Sequence, residues 1–177
     1  MHTSIQPTAH LDPETQQQIM LAAPEKWLGI KQDLTNSLTQ DAWVQFAQKN
    51  KSAYITDEKW TIISYCAYGN QGEYYQQFIP NILHNFYRPA LLIYLFTRED
   101  EQNKGYAKQL FGEVLSTAQS QGHDWLLLST WSPRLQDMYK RRGCSSFNVI
   151  HPTNSFFVKE GITKDAVLGK QLIPHTH

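Results

Sequence analysis

The stretch ALLIYLFTREDEQNKGYAKQLFGEVLSTA, residues 90–118, changes its hydrophobic period part-way along. Residues 90–96 form an apolar run of β-favouring composition and strand length, whereas Ala107, Leu110, Phe111, Val114, Leu115 and Ala118 fall at the spacing of one helix face. Gln102-Asn103-Lys104-Gly105-Tyr106-Ala107 lies between the two, so a helix is expected to start near Gly105. The first N–H groups of a helix lack intrahelical partners and the dipole there is positive, so an anion placed there meets several donors at once. A glycine at this point lets such an anion approach the main chain.

Downstream, Gln121-Gly122 is suited to close the helix, and Trp125-Leu126-Leu127-Leu128 reads as a buried strand. Strand, helix and strand with short links make a right-handed βαβ crossover, whose first loop opens at the carboxyl edge of the sheet, where ligands bind. A further helix is expected over residues 133–142, ending at Gly143, followed by a closing hairpin of residues 147–150 and 155–158. The final stretch, 162–177, reads as a short helix and tail. Upstream, residues 52–56 and 60–68 are β-branched and aromatic, form a hairpin about Asp57-Glu58-Lys59, and lead to an irregular or partly helical connection over 69–88 broken by Pro80. Asp12-Pro13 starts one N-terminal helix and Thr39 caps a second, with Ala42, Trp43, Phe46 and Ala47 as its apolar stripe. Residues 1–10 are polar and aperiodic and are expected to form a flexible tail. The order is ααβββαβαββ, a mixed α/β (α+β) single domain over 1–177 with antiparallel strands before and after one parallel crossover.

Composition narrows the function. The chain has 177 residues, 41% of them hydrophobic, enough for one sizeable core. Sixteen basic against sixteen acidic residues argue against a protein that coats nucleic acid, so phosphate recognition has to be local. The longest apolar run is far below the ~20 residues of a membrane helix, and the N-terminus lacks a signal peptide's layout; a soluble cytoplasmic protein without a membrane partner is expected. Cys66 and Cys144 make neither a disulfide framework nor a zinc site, so both are expected as buried, reduced thiols and no metal is expected.

Two blocks carry a resemblance. Gln102-x-x-Gly105-x-Ala107, between strand and helix, resembles the acetyl-coenzyme A signature of the GNAT superfamily of N-acetyltransferases, in which Gln or Arg opens a Q/R-x-x-G-x-G/A loop. Ser132-x-x-Leu135-x-x-Met138-Tyr139-Lys140-Arg141-Arg142-Gly143-Cys144 resembles the family's N-x-x-A-x-x-L-Y-x-x-x-G-F helix, with Tyr and Gly in register. Ser132 stands where the family often has Asn and Cys144 where it has Phe, and the link from Phe96 to Gln102 is longer than usual and lacks the common Pro. That link also carries Glu99-Asp100-Glu101. One misplaced unit charge at ~4 Å costs about 4 kcal/mol at an effective dielectric near ~20, so these carboxylates are expected to point to solvent, with Lys104, Lys108 and Arg98 compensating.

The resemblance implies a fold, an activity and a set of residues. The fold is GNAT-like, and the activity is transfer of an acetyl group from acetyl-coenzyme A to a primary amine by direct attack. The backbone of Leu95, Phe96 and Thr97 would hold the pantetheine arm in a sheet-like manner. Gln102 with the amides of Asn103, Lys104, Gly105, Tyr106, Ala107 and Lys108 would surround the pyrophosphate. Tyr139 would give its proton to the leaving thiolate, since a phenol of pKa ~10 stays protonated at neutral pH and matches a thiolate in basicity. Packing offers Tyr139 a plainer role, as a core tyrosine beside Leu135 and Met138. Ser132 either bonds the arm or serves as an N-cap.

Residues 91–97 contain no acid to act as general base; Glu73 and His84 are the nearest alternatives in sequence. The acceptor, a small-molecule or peptide amine, would be met by residues 69–88 and the first two helices, where Tyr74, Tyr75, Phe78, Phe86 and Tyr87, together with Trp131, are candidates for cation–π contact or simply for packing. A monomer or a homodimer fits equally. The rival readings are a coenzyme-binding or interaction module without turnover and a transferase that uses a longer acyl chain.

Overall fold

The computed structural model describes residues 2–7, 12, 14–15, 19, 50–69, 86–130, 132–150 and 165–173. Seven strands, β1 (His2–Pro7), β2 (Asn50–Thr56), β3 (Ile62–Gly69), β4 (Pro89–Thr97), β5 (Trp125–Thr130), β6 (Ser145–Ile150) and β7 (Asp165–Gln171), follow the order β1-β2-β3-β4-β5-β7-β6 in one sheet. Helix α1 (Tyr106–Ser120) connects β4 to β5, and α2 (Pro133–Lys140) connects β5 to β6. β4 and β5 run parallel from Pro89↔Trp125 to Leu92↔Leu128, as the crossover requires, while β1/β2, β2/β3, β5/β7 and β6/β7 are antiparallel. This is the mixed α/β architecture expected from the sequence. The chain makes two compact units, residues 1–69 with 94–116 and residues 70–93 with 117–177.

In the first unit every residue of β3 is buried. Ile62, Tyr65 and Ala67 of that strand, Phe96 of β4 and Ile19 form a core against which Tyr54 and Tyr94 pack, with the Tyr65 and Phe96 rings 5.5 Å apart. Burying hydroxyls among these rings is tolerable because they are paired. The Tyr65 and Ser52 hydroxyls lie 2.8 Å apart, and Ser64 Oγ donates to the Phe96 carbonyl at 2.7 Å. The expected hairpin is present, but its second strand starts at Ile62 rather than Trp60. Asp57 explains the delay: its Oδ1 accepts the N–H groups of both Lys59 and Thr61 at 2.9 Å, and the turn so formed holds Trp60 at φ 64°.

The expectation of a flexible tail over residues 1–10 is corrected for residues 2–7; residues 1 and 8–10 lie outside the described residues. His2–Pro7 is β1, in register with β2 from His2↔Thr56 to Pro7↔Lys51. A strand that adds to a sheet through main-chain bonds needs no run of apolar side chains, so HTSIQP offered little pattern to read. Asp12 does act as a cap, accepting from Thr15 N–H at 2.9 Å and from its hydroxyl at 2.7 Å, which lowers the Asp12 carboxyl pKa. The helix expected from Thr39, the connection over 70–85 and the strand expected over 155–158 lie outside the described residues.

In the second unit the partner of β6 is β7, from residues expected to form a short helix and tail. β7 lies between β5 and β6 and pairs with both, Trp125↔Gln171 through Thr130↔Ala166 on one side and Ser145↔Gly169 through Ile150↔Asp165 on the other. Val167 and Leu168, both fully buried, are the strongly apolar residues of DAVLGKQ, so the segment carries little strand pattern while its backbone completes two ladders. Phe86, Trp125 and Phe147 pack edge to face in a triangle with ring centroids 5.0 to 5.3 Å apart.

Candidate functional site

β4 ends at Thr97. Residues 99–101 then form one 3₁₀ turn, Gln102 is extended, and Asn103 and Gly105 take left-handed φ values of 66° and 92° before α1 begins at Tyr106. The turn falls within the link from Phe96 to Gln102. The Gly105 carbonyl accepts the first helical bond, from Gln109 N–H at 3.0 Å, so Gly105 occupies the N-cap position. Having no side chain, it cannot cap the N–H groups of the first turn, Tyr106, Ala107 and Lys108. A Cβ built on Gly105 meets nothing within 4 Å. An open helix start with a glycine at its N-cap fits a pyrophosphate, which brings its own acceptors.

The electrostatics of the link differ from expectation. Arg98 Nε lies 2.6 Å from Asp100 Oδ1 and its Nη2 lies 3.8 Å from Glu101 Oε1, while Lys104 Nζ lies 2.9 Å from Glu101 Oε2. Glu101 therefore does not project freely into solvent; its side chain is 18% exposed and sits between two cations. Arg98 and Lys104, expected to compensate the loop's carboxylates, do so by direct ion pairs. The hydrogen bond from Arg98 lowers the Asp100 pKa, and the one to Glu101 raises that of Lys104. Gln102 is exposed, and its Nε2 donates to the Thr97 carbonyl at 3.4 Å, tying the loop back to the end of β4. Leu95 and Thr97 are half-buried and Phe96 is buried. Leu95, Phe96, Thr97, Gln102, Asn103, Lys104, Gly105, Tyr106, Ala107 and Lys108 thus stand together in the first unit.

Ser132 and Tyr139 belong to the second unit, on α2. Ser132 caps the helix: its Oγ accepts from Leu135 N–H at 3.5 Å, and Pro133 follows at the first helical position. Gln136 Nε2 donates to the Thr130 carbonyl at 3.1 Å and fixes the helix start against the end of β5. Tyr139 is the buried residue of α2, 5% exposed, whereas Leu135 is 39% exposed and does not share its burial. The Tyr139 carbonyl accepts from Arg142 N–H and Cys144 N–H, and Gly143, at φ 82°, supplies the left-handed residue that such a helix end demands. Cys144 is buried behind that turn, its thiol pushed up to about 11 by desolvation. Glu73, His84, Tyr74, Tyr75, Phe78 and Trp131 lie outside the described residues. Of the remaining aromatic candidates, Phe86 is committed to the aromatic triangle and Tyr87 is exposed.

Solved structures share this course of the backbone. An aminoglycoside 6'-acetyltransferase type Ii matches with a TM-score of 0.71 at 13% identity, covering 99% of this chain and 100% of the other. A GNAT family acetyltransferase from Elizabethkingia anophelis with acetyl-CoA bound matches at 0.63 and 15% identity over 96% of this chain and 98% of that one. The fold is that of the GNAT acetyltransferases. The ribosomal-protein-S18-alanine N-acetyltransferase of Escherichia coli has the same GNAT fold, with a TM-score of 0.63 and 10% identity over 99% and 97% of the two chains. No family model matches the chain, and no curated protein does. Among the described residues no group of His, Cys, Asp and Glu is arranged to hold a metal ion, and no helix is long and apolar enough to cross a membrane.

Proposed function

We propose that this chain is an N-acetyltransferase that moves an acetyl group from acetyl-coenzyme A to a primary amine, acting as a single catalytic domain in the cytoplasm. The observation that carries the reading is the sterically open start of α1 after β4, with a glycine at its N-cap, within a GNAT fold. The first-turn amides and Gly105 hold the pyrophosphate, with Gln102, Asn103 and Lys104 at its rim. The main chain of Leu95, Phe96 and Thr97 takes the pantetheine amides, a contact indifferent to side-chain identity. Ser132, already an N-cap, contributes its hydroxyl to the arm.

Bound, acetyl-coenzyme A supplies an activated acyl carbon and a sulfur leaving group. Tyr139 gives its hydroxyl proton to the departing sulfur as the C–N bond to the amine forms and the C–S bond breaks, and the proton shed by the amine returns to the phenolate. The overall change is amine plus thioester to amide plus thiol. The acceptor is a small-molecule or peptide amine. Proteins of this fold include one named for an aminoglycoside and one named for an alanine of a ribosomal protein, so the fold alone selects neither.

Binding and chemistry separate in two measurements. Saturating acetyl-coenzyme A is expected to raise the melting temperature, because a ligand held by the folded state alone stabilises it by mass action. No rise with any acyl-coenzyme A would sink the assignment. In a thiol-release assay over a panel of amines, Tyr139→Phe is expected to lower kcat about a hundredfold or more while leaving KM for the donor unchanged. Turnover as fast as in the wild type would remove Tyr139 from the acid role, and coenzyme binding without release from any amine would favour a binding module.

A further inference from the structure

We propose that Glu101 sets the affinity of the loop for the coenzyme by holding Lys104 in an ion pair that a phosphate has to displace. The inference rests on the coenzyme assignment above. Lys104 directly precedes the N-cap glycine, yet its ammonium lies 2.9 Å from Glu101 Oε2. The other oxygen of the same carboxylate lies 3.8 Å from Arg98 Nη2, and Arg98 is bonded to Asp100 at 2.6 Å. Asp57 adds a further carboxylate to the field around Arg98. Residues 98–104 carry two cations, Arg98 and Lys104, against three carboxylates, Glu99, Asp100 and Glu101, a formal balance of −1. A polyanion arriving at α1 therefore meets backbone donors but no uncommitted cation on this link.

The two halves of the pair are unequal. The Glu101 side chain is 18% exposed and the Lys104 side chain 52%, so the carboxylate is the fixed partner and the ammonium the one able to swing. Exchange of Glu101 for a phosphate oxygen keeps Lys104 paired and costs little in solvation, but it leaves Glu101 with Arg98 alone beside an added negative charge. Affinity is thereby held below what the donor set by itself would give. The coenzyme leaves more readily for the same reason.

Isothermal titration of coenzyme A into wild type, Glu101→Gln, Lys104→Gln and the double variant, each at low and high salt, reads the effect directly. Glu101→Gln is expected to bind about fivefold more tightly at low salt, and with a steeper salt dependence, because Lys104 is released to the phosphates. In the double variant the gain is expected to vanish, which a merely structural role for Glu101 would not produce. Glu101→Ala, which also removes the carboxylate, serves as the second variant should the glutamine disturb the turn. Equal or weaker binding by both carboxylate-free variants, or a gain that survives Lys104→Gln, overturns the proposal. Absence of binding by all four proteins would instead overturn the coenzyme assignment itself.

Discussion

Gly105 combines a left-handed backbone with an open approach, and the two make separate demands. At φ 92° an L side chain is strained whatever the space, whereas the space itself is free, with no atom within 4 Å of a Cβ built there. Gly105→Ala is therefore expected to destabilise the fold by about 1–2 kcal/mol in urea unfolding, all of it from the backbone. Coenzyme affinity should fall further than stability suggests, since the methyl occupies the approach to the first-turn amides. Unchanged stability with unchanged affinity would mean that the loop relaxes to another conformation at no cost. Gln102 and Glu101 show the complementary limit of single residues: the first is readable from its place in a motif, the second only once the 3₁₀ turn has folded it against Lys104 and Arg98.

At the scale of elements, β7 shows how a strand is stabilised by its neighbours more than by its own composition. A Cβ on Gly169 would stand 2.6 Å from Leu127 Cδ2 and 2.6 Å from Phe147 Cε2. Phe147 is 41% exposed and has room to give way, but Leu127 is fully buried in β5 and does not. Gly169→Ala is thus an overpacking change, expected to cost about 1–3 kcal/mol and to lower the melting temperature. Phe147→Ala in the same background should recover little, because the Leu127 contact is the rigid one; full recovery would assign the crowding to Phe147 instead. The strand–helix–strand core, β4 to α1 to β5, is the converse case. Its apolar runs are long and change period at Gln102 to Gly105, so both element types and the loop between them are legible in the order of residues alone. β1 and β7 are not, being short segments whose pairing comes from backbone bonds to neighbours far away in sequence. The loop half of the candidate site is legible for the same reason as the crossover, whereas its ion pairing, between residues only two or three apart, depends on the 3₁₀ turn that brings them together.

For the whole molecule, the buried thiols and phenol set an alkaline limit. Desolvation pushes Cys66 up to about 12 and Cys144 up to about 11, and it raises Tyr65 as well. A folded-state value above the unfolded one of 9.0 means that the neutral thiol's stabilising contribution is complete below pH 9. Above that the unfolded chain gains by ionising, and the contribution is lost as pH rises through 11 to 12. The melting temperature is expected to decline from about pH 9 upward, and less steeply in Cys66→Ala/Cys144→Ala than in the wild type. Identical slopes would show that other groups govern the decline. The order of strands in the sheet carries one more consequence. Among the described strands the outermost members are β1, which closes on Pro7, and β6, whose register with β7 shifts between Ser146 and Asn148. A flat outer strand with a full row of donors and acceptors is a template on which another chain adds, and a missing donor at one margin and a break in alignment at the other both spoil that template. Aggregation of this protein is accordingly expected to start from its unfolded chain rather than by folded copies joining margin to margin.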